Sequence, residues 1–257
     1  MRYKNVVFDL YGTLVDIHTD EKSKELWKKM ARLYREYGAA YQPRAMQKEF
    51  EERIREKQRC ADEIQIEEVF AELFFRKQVQ IEGEELLDIC KKFREYSTEY
   101  IRLYPGVHGL LAGLRGQGRK IYLLSNAQRV FTAHELSGLD IGKYFDGILL
   151  SSDYGVKKPN LRFFEALFVE YGLEPEECLM IGNDETCDIG GGNRASMGTL
   201  YLHTNLSPEY RGRQAADRAV MSGFSSCQAY LSDRPVDGHL GIEILLAVIE
   251  EMEREMV

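Results

Sequence analysis

Short apolar runs recur along the chain, and each ends in glycine or polar residues. They cover residues 6–11, 121–125, 147–151, 178–182, 199–203 and 219–222. Continuous runs of this length, without alternation, predict strands that are buried on both faces, as in a parallel sheet. Helical stretches lie between the later runs, at residues 107–117, 130–137, 161–171 and 189–197. Strands that alternate with helices predict an α/β fold with a doubly wound parallel sheet and right-handed crossovers.

The segment between the first two runs is too long for an ordinary crossover and has a different pattern. Apolar residues recur there at spacings of three and four, which predicts amphipathic helices. The helical groups are Trp27, Met30, Tyr34 and Tyr37; Met46, Phe50 and Ile54; Val69, Leu73 and Phe74; and Leu86, Ile89, Phe93, Tyr96 and Tyr100. We predict a small α-helical cap domain above the strand ends, where a lid would lie. An ordinary helical decoration is the alternative.

These patterns divide the chain into three parts. We expect a core domain made of residues 1–16 and 101–235, and a helical cap made of residues 17–100. A C-terminal helix within residues 236–257 should pack on the core. Active sites of doubly wound sheets lie at the carboxyl ends of the strands, so the polar residues that follow the apolar runs are the candidates for chemistry.

The composition is that of a globular protein that can bury a large core. Of the 257 residues, 44% are hydrophobic and 30% are charged, and the net charge of −8 disfavours binding to nucleic acid or to an anionic membrane. No apolar run approaches the roughly 20 residues that span a bilayer, and the first residues lack the apolar core of a signal peptide. The five cysteines form no close pairs. We therefore expect reduced thiols and a cytoplasmic location.

The first apolar run places Asp9 at the end of a strand. Gly12 then permits a tight turn, and Thr13 offers a hydroxyl and a backbone N–H beside the carboxylate. A carboxylate in this position can act as a covalent nucleophile, which divides one difficult displacement into two easier steps. An aspartate at a strand end, taken alone, is often only a helix cap or a turn former.

Three later strand ends carry polar residues that match this chemistry. Ser125 and Asn126 follow the second core run and are suited to holding an anionic oxygen. Lys158 precedes a proline and supplies a cation that can neutralise Asp9 or a bound anion. Asp184 and Asp188 lie four residues apart where a strand leads into a helix.

Clustered carboxylates repel each other, so Asp184 and Asp188 need a counter-cation if they meet Asp9. Mg²⁺ prefers oxygen ligands and retains several waters, which makes it the expected ion. The alternative is that Asp184 only caps the following helix and that Asp188 pairs with Lys158.

These four motifs, in this order and at these strand ends, resemble the haloacid dehalogenase (HAD) superfamily. The helical insertion resembles the subgroup of that superfamily with a small α-helical cap. The resemblance covers roughly residues 4–232 and implies a Rossmann-like core. It also implies that Asp9 is the nucleophile and that Lys158 balances its charge. The substrate anion would be held by Thr13, Ser125 and Asn126. Mg²⁺ would be held by Asp9, the Tyr11 carbonyl and Asp184, with Asp188 supporting the metal or Lys158.

Tyr11, which we include with Asp9 and Lys158 among the candidate catalytic residues, is where the sequence departs from the pattern of HAD phosphatases. Those enzymes carry a second aspartate there, which protonates the leaving oxygen, and such a group contributes about a hundred- to ten-thousandfold in rate. A tyrosine is typical of the 2-haloacid dehalogenases, because a halide leaves without a proton. Those dehalogenases, however, use no metal and lack a carboxylate at the position of Asp184. Most also have a tyrosine where this chain has Phe164.

The dehalogenases hold the substrate carboxylate with an arginine of the cap, for which Arg32 and Arg44 are the candidates in this sequence. The Asp184 and Asp188 pair carries more weight than Tyr11, because clustered carboxylates need a partner and a tyrosine does not. The sequence therefore predicts a hydrolase that uses Mg²⁺ and removes phosphate from a small anionic metabolite. A metal-independent dehalogenase and a non-catalytic binding protein are the alternatives, and the oligomeric state is open.

Overall fold

The computed structural model describes residues 1–209, 216, 218–222, 229–231, 234–235 and 244–254. The strands are β1 (Asn5–Phe8), β2 (Val15–Thr19), β3 (Thr98–Leu103), β4 (Lys120–Ser125), β5 (Gly147–Leu150), β6 (Cys178–Gly182), β7 (Gly198–His203), β8 (Arg218–Ser222), β9 (Ala229–Leu231) and β10 (Arg234–Pro235). The helices are α1 (Lys24–Glu36), α2 (Pro43–Gln58), α3 (Ile66–Phe75), α4 (Gly83–Ser97), α5 (Val107–Gly116), α6 (Arg129–Gly138), α7 (Ser151–Tyr154), α8 (Leu161–Tyr171), α9 (Gly190–Arg194) and α10 (Ile244–Arg254).

Within the described residues, the central sheet has eight strands in the order β10-β9-β8-β7-β6-β1-β4-β5. Neighbours from β5 to β8 pair in parallel, with β1 between β4 and β6. This confirms the predicted α/β fold with a doubly wound sheet. The apolar runs do not predict β9 and β10, which add an antiparallel edge to β8.

The strand order reverses beside β1, and this reversal places the candidate site. The chain runs from β1 outward through β4 and β5, then returns to the other side of β1 at β6. In sheets of this kind a crevice opens at the carboxyl ends of the strands on either side of the reversal. Asp9 follows β1 at this point, and its backbone N–H donates to the Ile181 carbonyl at 3.0 Å.

The first strand is shorter than the predicted run of residues 6–11, because the chain turns at Leu10. The carbonyl of Leu10 accepts backbone N–H groups from Thr13, Leu14 and Val15, at 3.2, 2.8 and 2.9 Å. A tight turn of this kind ends the pairing with neighbouring strands immediately after Asp9. Asp9, the catalytic candidate, is therefore the first residue after the strand, and it is followed directly by this tight turn.

Four helices occupy the segment between β2 and β3, as the spacing of apolar residues predicts. Their buried faces share one apolar cluster, in which Trp27 lies 5.2 Å from Phe50 and 5.9 Å from Phe93 between ring centroids. Tyr100 departs from the prediction, because α4 ends at Ser97 and Tyr100 belongs to β3. The hydroxyls of Ser97 and Thr98 donate to the Arg94 carbonyl, at 3.1 and 2.7 Å, and so satisfy the end of the helix.

An antiparallel ribbon of β2 and β3, which the apolar pattern of the sequence does not predict, carries the chain into and out of the helical segment. Asp16 in β2 is buried, with 2% of its surface exposed. Its carboxylate accepts hydrogen bonds from Arg102 Nε at 2.8 Å, Tyr100 Oη at 3.2 Å and Asn205 Nδ2 at 2.9 Å. Because Asn205 follows β7, Asp16 ties the ribbon to the central sheet.

The C-terminal helix lies on the core. Within the described residues it covers Ile244–Arg254, and the other residues of the predicted range fall outside the described part of the chain. Leu245, Val248, Ile249 and Met252 are buried in the cluster that also contains residues of β1 and α5. The Glu253 carboxylate accepts hydrogen bonds from Arg119 Nη1 and Nη2, at 3.0 and 3.1 Å.

Two further observations concern sequence features. Four cysteines in the described residues, Cys60, Cys90, Cys178 and Cys187, are free thiols. None of the helices in the described part of the chain has both the length and the apolar character that crossing a bilayer requires. The boundaries of the core, cap and C-terminal segments, given above from the sequence, stay predictions.

The contacts of Asp16 predict how stability depends on pH. Burial alone would raise its pKa, but the hydrogen bonds from Asn205 and Arg102 lower the pKa below the ordinary value of 3.8. A carboxylate with a lowered pKa stabilises the fold above its unfolded pKa, and this contribution is lost as the pH falls through its folded pKa. Asp16→Asn should therefore lower the free energy of unfolding by about 1–3 kcal/mol at neutral pH, measured by urea denaturation.

Asp140→Asn is the matched control, because Asp140 pairs with Lys143 while its side chain is 70% exposed. An exposed pair contributes about 0–1 kcal/mol. The difference between Asp16→Asn and the wild type should shrink below about pH 4. Equal losses in the two variants, or a deficit for Asp16→Asn that does not change with pH, would contradict the assigned role of Asp16.

Candidate active site

Five of the residues predicted from the sequence meet at the carboxyl ends of β1, β4 and β6. Asp9 is at the centre, and 8% of its surface is exposed. Its Oδ1 atom accepts hydrogen bonds from Lys158 Nζ at 2.7 Å and from Ser125 Oγ at 3.1 Å. Within the part of the chain that the structure describes, its Oδ2 atom has only a long contact of 3.4 Å with Thr13 Oγ1. One carboxylate oxygen is thus fixed by the protein, and the other is less engaged.

Lys158 is buried between two carboxylates. Its ammonium lies 2.7 Å from Asp9 Oδ1 and 2.7 Å from Asp188 Oδ1, and 1% of its side chain is exposed. Burial opposes the charged form, but Asp188 and Asp9 together raise the pKa of Lys158 well above its ordinary range. Lys158 is therefore a permanent cation that fixes the position of Asp9.

Asp188 is engaged through both of its oxygens. Oδ1 pairs with Lys158, and Oδ2 accepts the backbone N–H of Asp184 at 2.9 Å. Gly182 leaves space for this carboxylate, since a Cβ atom there would lie 2.2 Å from Asp188 Oδ2. Burial raises the pKa of Asp188 despite the attraction of Lys158, and Asp9 acts in the same direction as burial. The two carboxylates thus share one cation, and their cluster carries excess negative charge.

Asp184 caps the turn that follows β6. Its Oδ1 atom accepts the backbone N–H groups of Thr186 and Cys187, both at 2.8 Å. The chain then makes a π-helical turn over Glu185–Ile189 before the short helix Gly190–Arg194, so the predicted helix at 189–197 begins earlier and is divided. The capping of Asp184 and the pairing of Asp188 with Lys158 are the contacts that the alternative interpretation of this motif predicts. The metal roles of both residues stay predictions.

Asn126 uses its side chain to hold the backbone of Lys158. Nδ2 donates to the Lys158 carbonyl at 2.9 Å, and Oδ1 accepts the Lys158 backbone N–H at 2.7 Å. The loop after β4 therefore fixes the residue that carries the central cation. The predicted contact of Asn126 with a substrate anion is not tested by this arrangement.

Asn183 is a site residue whose role the sequence motifs do not predict. It is buried, and its Oδ1 atom accepts a hydrogen bond from Thr13 Oγ1 at 3.3 Å. Gly12 has a φ of +87°, and a Cβ atom at this position would lie 2.2 Å from Asn183 Nδ2. The loops after β1 and β6 are therefore in direct contact beside Asp9. The signal in the sequence is the position of Asn183 directly after the last residue of β6.

Tyr11 directs its hydroxyl toward α6. The hydroxyl donates to Glu135 Oε2 and lies 2.9 Å from Thr132 Oγ1. Arg94 of α4 pairs with Glu135 at 2.6 Å, and its guanidinium carbon lies 5.6 Å from the centre of the Tyr11 ring. Burial, followed by the charge of Glu135, raises the pKa of Tyr11 above its ordinary range. The sequence motifs do not identify Glu135 or Arg94. A catalytic role of Tyr11 stays a prediction.

The two arginines considered as ligands of a substrate carboxylate lie on the surface. The Arg32 side chain is 84% exposed and lies 3.7 Å from Glu36, and Arg44 is also exposed. Phe164 is fully buried in the apolar cluster beneath the sheet, where a Cβ atom on Gly191 would meet its ring at 2.5 Å. Among the arginines of the helical segment, Arg94 is one that faces the core, and Glu135 neutralises it.

Mg²⁺ prefers oxygen ligands and retains several waters. Within the described residues, no three side chains of histidine, cysteine, aspartate or glutamate form a metal-binding group. Oxygen donors that suit Mg²⁺ are nevertheless present in the two loops that touch: Asp9 Oδ2, the Tyr11 carbonyl and the Asp184 oxygen that does not cap the turn. This donor set fits a hard ion that retains several waters, with Asp188 behind it.

Because Asp9 and Asp188 share the ammonium of Lys158, removing the cation should destabilise the fold much more than removing the charge of Asp9. Lys158→Met would leave two buried carboxylates without a partner, and should lower the free energy of unfolding by about 3–5 kcal/mol. Asp9→Asn would remove one of the competing carboxylates and should cost less than about 1 kcal/mol. Urea denaturation in EDTA measures both values, with the half-buried Lys157→Met as the control. Similar losses for Lys158→Met and Lys157→Met would show that the ammonium does not hold the cluster together.

The chain is similar in sequence to known phosphatases and nucleotidases. The chain is 28% identical over 143 residues to a phosphoserine phosphatase from Thermus thermophilus, and the match covers 54% of the chain and 57% of that protein. The chain therefore spans little more than half the length of this relative. It is 26% identical over 228 residues to the pyrimidine 5'-nucleotidase PynA from Streptococcus pneumoniae, which covers 82% of the chain and 91% of PynA.

A solved structure shows the same fold. The 2-haloacid dehalogenase from Pseudomonas syringae pv. Tomato superposes with a TM-score of 0.61 at 16% identity, over 96% of the chain and 98% of that enzyme. At this identity the likeness concerns the fold alone. The family model described as haloacid dehalogenase-like hydrolase matches residues 3–196, which is more than half of the chain. The protein therefore belongs to the haloacid dehalogenase-like hydrolases.

Proposed function

We propose that this hydrolase removes phosphate from a small phosphorylated metabolite, with Asp9 as the nucleophile. The observation that carries the proposal is the position of Asp9, held through Oδ1 by Lys158 at 2.7 Å and by Ser125 at 3.1 Å. A carboxylate that is already fixed at one oxygen loses little freedom when it attacks. The names of the relatives, a phosphoserine phosphatase and a pyrimidine 5'-nucleotidase, support the phosphorylated class of substrate.

The reaction begins when an Asp9 oxygen attacks the phosphorus atom. The new bond joins this oxygen to phosphorus, the bond from phosphorus to the leaving oxygen breaks, and an aspartyl-phosphate remains. Lys158, Ser125 and Thr13 surround Asp9 and spread the charge of the transition state, which is most of what phosphoryl transfer requires. Water then attacks the phosphorus atom of the aspartyl-phosphate, and the bond from phosphorus to the Asp9 oxygen breaks. Inorganic phosphate leaves with the proton of the water, and the Asp9 carboxylate is restored.

We propose Mg²⁺ as the cofactor, held by Asp9, the Tyr11 carbonyl and Asp184. When bound, it supplies positive charge against the transferring phosphoryl group. The excess negative charge of the cluster supports this, because Asp9 and Asp188 share the one ammonium of Lys158. Both oxygens of Asp188 have protein partners, so we assign to Asp188 the positioning of Lys158 and not the binding of the metal.

We propose that the Tyr11 side chain does not protonate the leaving group. The Tyr11 hydroxyl donates to Glu135, and burial together with Glu135 raises its pKa, so the phenol releases its proton with difficulty. A leaving oxygen that departs without a proton must be stable as an anion. The enzyme should then prefer phenyl or acyl phosphates to alkyl phosphates.

The second candidate function is the metal-independent release of halide from a 2-haloacid. Tyr11 favours it, since a halide needs no proton. Arg94 argues against it, because the guanidinium that faces the core is already paired with Glu135 at 2.6 Å. It would have to leave this partner to hold a substrate carboxylate. A non-catalytic binding role is the third candidate, and the retained set of Asp9, Ser125 and Lys158 argues against it.

The three functions predict different products in one side-by-side assay. The protein should release phosphate from p-nitrophenyl phosphate with Mg²⁺ and lose this activity in EDTA, and it should release no chloride from 2-chloropropionate. Asp9→Asn should abolish turnover, because it removes the nucleophile. Chloride release in EDTA would instead establish the dehalogenase, and the absence of both products would favour the binding role.

The leaving-group preference is a separate prediction. The rate on p-nitrophenyl phosphate should exceed the rate on an alkyl phosphate by about a hundred- to ten-thousandfold, which is the usual contribution of a positioned acid. Steady-state release of inorganic phosphate at equal substrate concentration measures both rates. Tyr11→Phe should preserve the preference, whereas similar rates for the two substrates would reveal a proton donor elsewhere in the site.

A further inference from the structure

Tyr11, Glu135 and Arg94 form a connected chain between three separate parts of the fold. Tyr11 lies in the loop after β1, two positions beyond Asp9. Glu135 lies on α6 of the core, and Arg94 lies on α4 of the helical segment. Oε1 of Glu135 pairs with Arg94 Nε at 2.6 Å, while Oε2 accepts the Tyr11 hydroxyl. Because each oxygen has its own donor, Glu135 can hold both neighbours at the same time.

The linked side chains of Tyr11, Glu135 and Arg94 are largely shielded from water, which strengthens the contacts between them. The side chains of Glu135 and Arg94 are 9% and 17% exposed. The guanidinium carbon of Arg94 also lies 5.6 Å from the Tyr11 ring centre and 5.3 Å from that of Phe131. A guanidinium over aromatic faces gains further attraction, and more so where it is desolvated. The pairing of Arg94 with Glu135 between α4 and α6 is therefore stronger than an exposed surface pair.

The pairing of Arg94 with Glu135 differs from the polar contacts that the helical segment makes with the core through the loop between α2 and α3. On the far side, the loop between α2 and α3 meets the core through neutral donors: Gln128 Nε2 donates to the Ile64 carbonyl at 2.8 Å, and Ser151 Oγ donates to Glu63 at 2.7 Å. Neither of those contacts involves the loop that carries Asp9. The chain through Glu135 is thus a direct route from the helical segment to the loop beside the nucleophile.

We propose that Glu135 is a positioning residue that joins the loop after Asp9 to Arg94, so that closure of the helical segment and the geometry of this loop are set together. When α4 lies against α6, Arg94 compensates the charge of Glu135, and Glu135 holds the Tyr11 hydroxyl. When α4 moves away, Glu135 loses its cation, and its carboxylate, left without a charged partner in a site of little exposure, turns toward water. The charge-assisted bond to Tyr11 then weakens.

Amide hydrogen exchange tests this coupling without reference to activity. Arg94→Met, a change on α4, should raise exchange in residues 10–15 of the loop after β1 by about tenfold, the effect of losing one bond to a charged group. Lys92→Met is the matched control: Lys92 lies on the same helix, its side chain is 45% exposed, and it pairs with Glu95 at 3.7 Å. Exchange in residues 10–15 that is the same in Arg94→Met, Lys92→Met and the wild type would overturn the proposal.

The kinetic test rests on the proposed phosphatase function. On p-nitrophenyl phosphate with Mg²⁺, Tyr11→Phe, Glu135→Gln and Arg94→Met should each lower kcat by about tenfold and leave KM within about twofold. The double variant Tyr11→Phe with Arg94→Met should be no slower than the slower single variant, because both changes break one chain. Fold-changes that multiply in the double variant would show that Arg94 and Tyr11 act independently, and would overturn the proposal.

The two measurements separate the failure of this proposal from the failure of the proposed function. If the wild type releases no phosphate, the phosphatase assignment fails, and exchange in residues 10–15 still decides the role of Glu135. If the wild type is active and Arg94→Met changes only thermal stability, with kcat and loop exchange unaltered, Glu135 and Arg94 are a structural ion pair. That result would overturn the proposal and leave the phosphatase function standing.

Discussion

The ammonium of Lys158, buried between Asp9 and Asp188, is the interaction on which the rest of the site depends. A buried charge is stable only with partners, so the surrounding residues are arranged to supply them. Asn126 fixes the backbone of the lysine, and Gly182 leaves space for Asp188 to approach. The same arrangement leaves two carboxylates to one cation, which makes the site attractive to a further cation and holds Asp9 in one position.

The core of the fold can be predicted because its strands are buried on both faces, so an uninterrupted apolar run identifies each of them. The ribbon of β2 and β3 cannot be predicted in this way. Its residues alternate irregularly between buried and exposed positions, and Tyr100 continues the helical spacing of the residues before it. The edge strands β9 and β10 are short, with three and two residues, and carry too little pattern to be recognised.

Some residues of the candidate site can likewise be predicted from the sequence, and others cannot. Asp9, Ser125, Lys158 and Asp188 can be found from the sequence, because each follows or ends a recognisable strand or turn. Arg94 cannot, because nothing on a charged helix distinguishes it from Arg32. Only the packing of α4 against α6 decides that one arginine is buried at 17% exposure while the other is 84% exposed. The sequence shows that an element exists but not which of its polar side chains faces a neighbour.

Tyr11 shows how one substitution can change the mechanics of a site without dismantling it. An aspartate at this position would be too short to span the distance to α6, and its charge would oppose that of Glu135. A tyrosine reaches the carboxylate, donates to it and offers its ring face to Arg94. Under the functions proposed above, the residue replaces a proton donor by a link between the loop that carries Asp9 and the helical segment. Chemistry that needs a proton at the leaving group would then be weakened, whereas chemistry that needs only a well-placed nucleophile would be preserved.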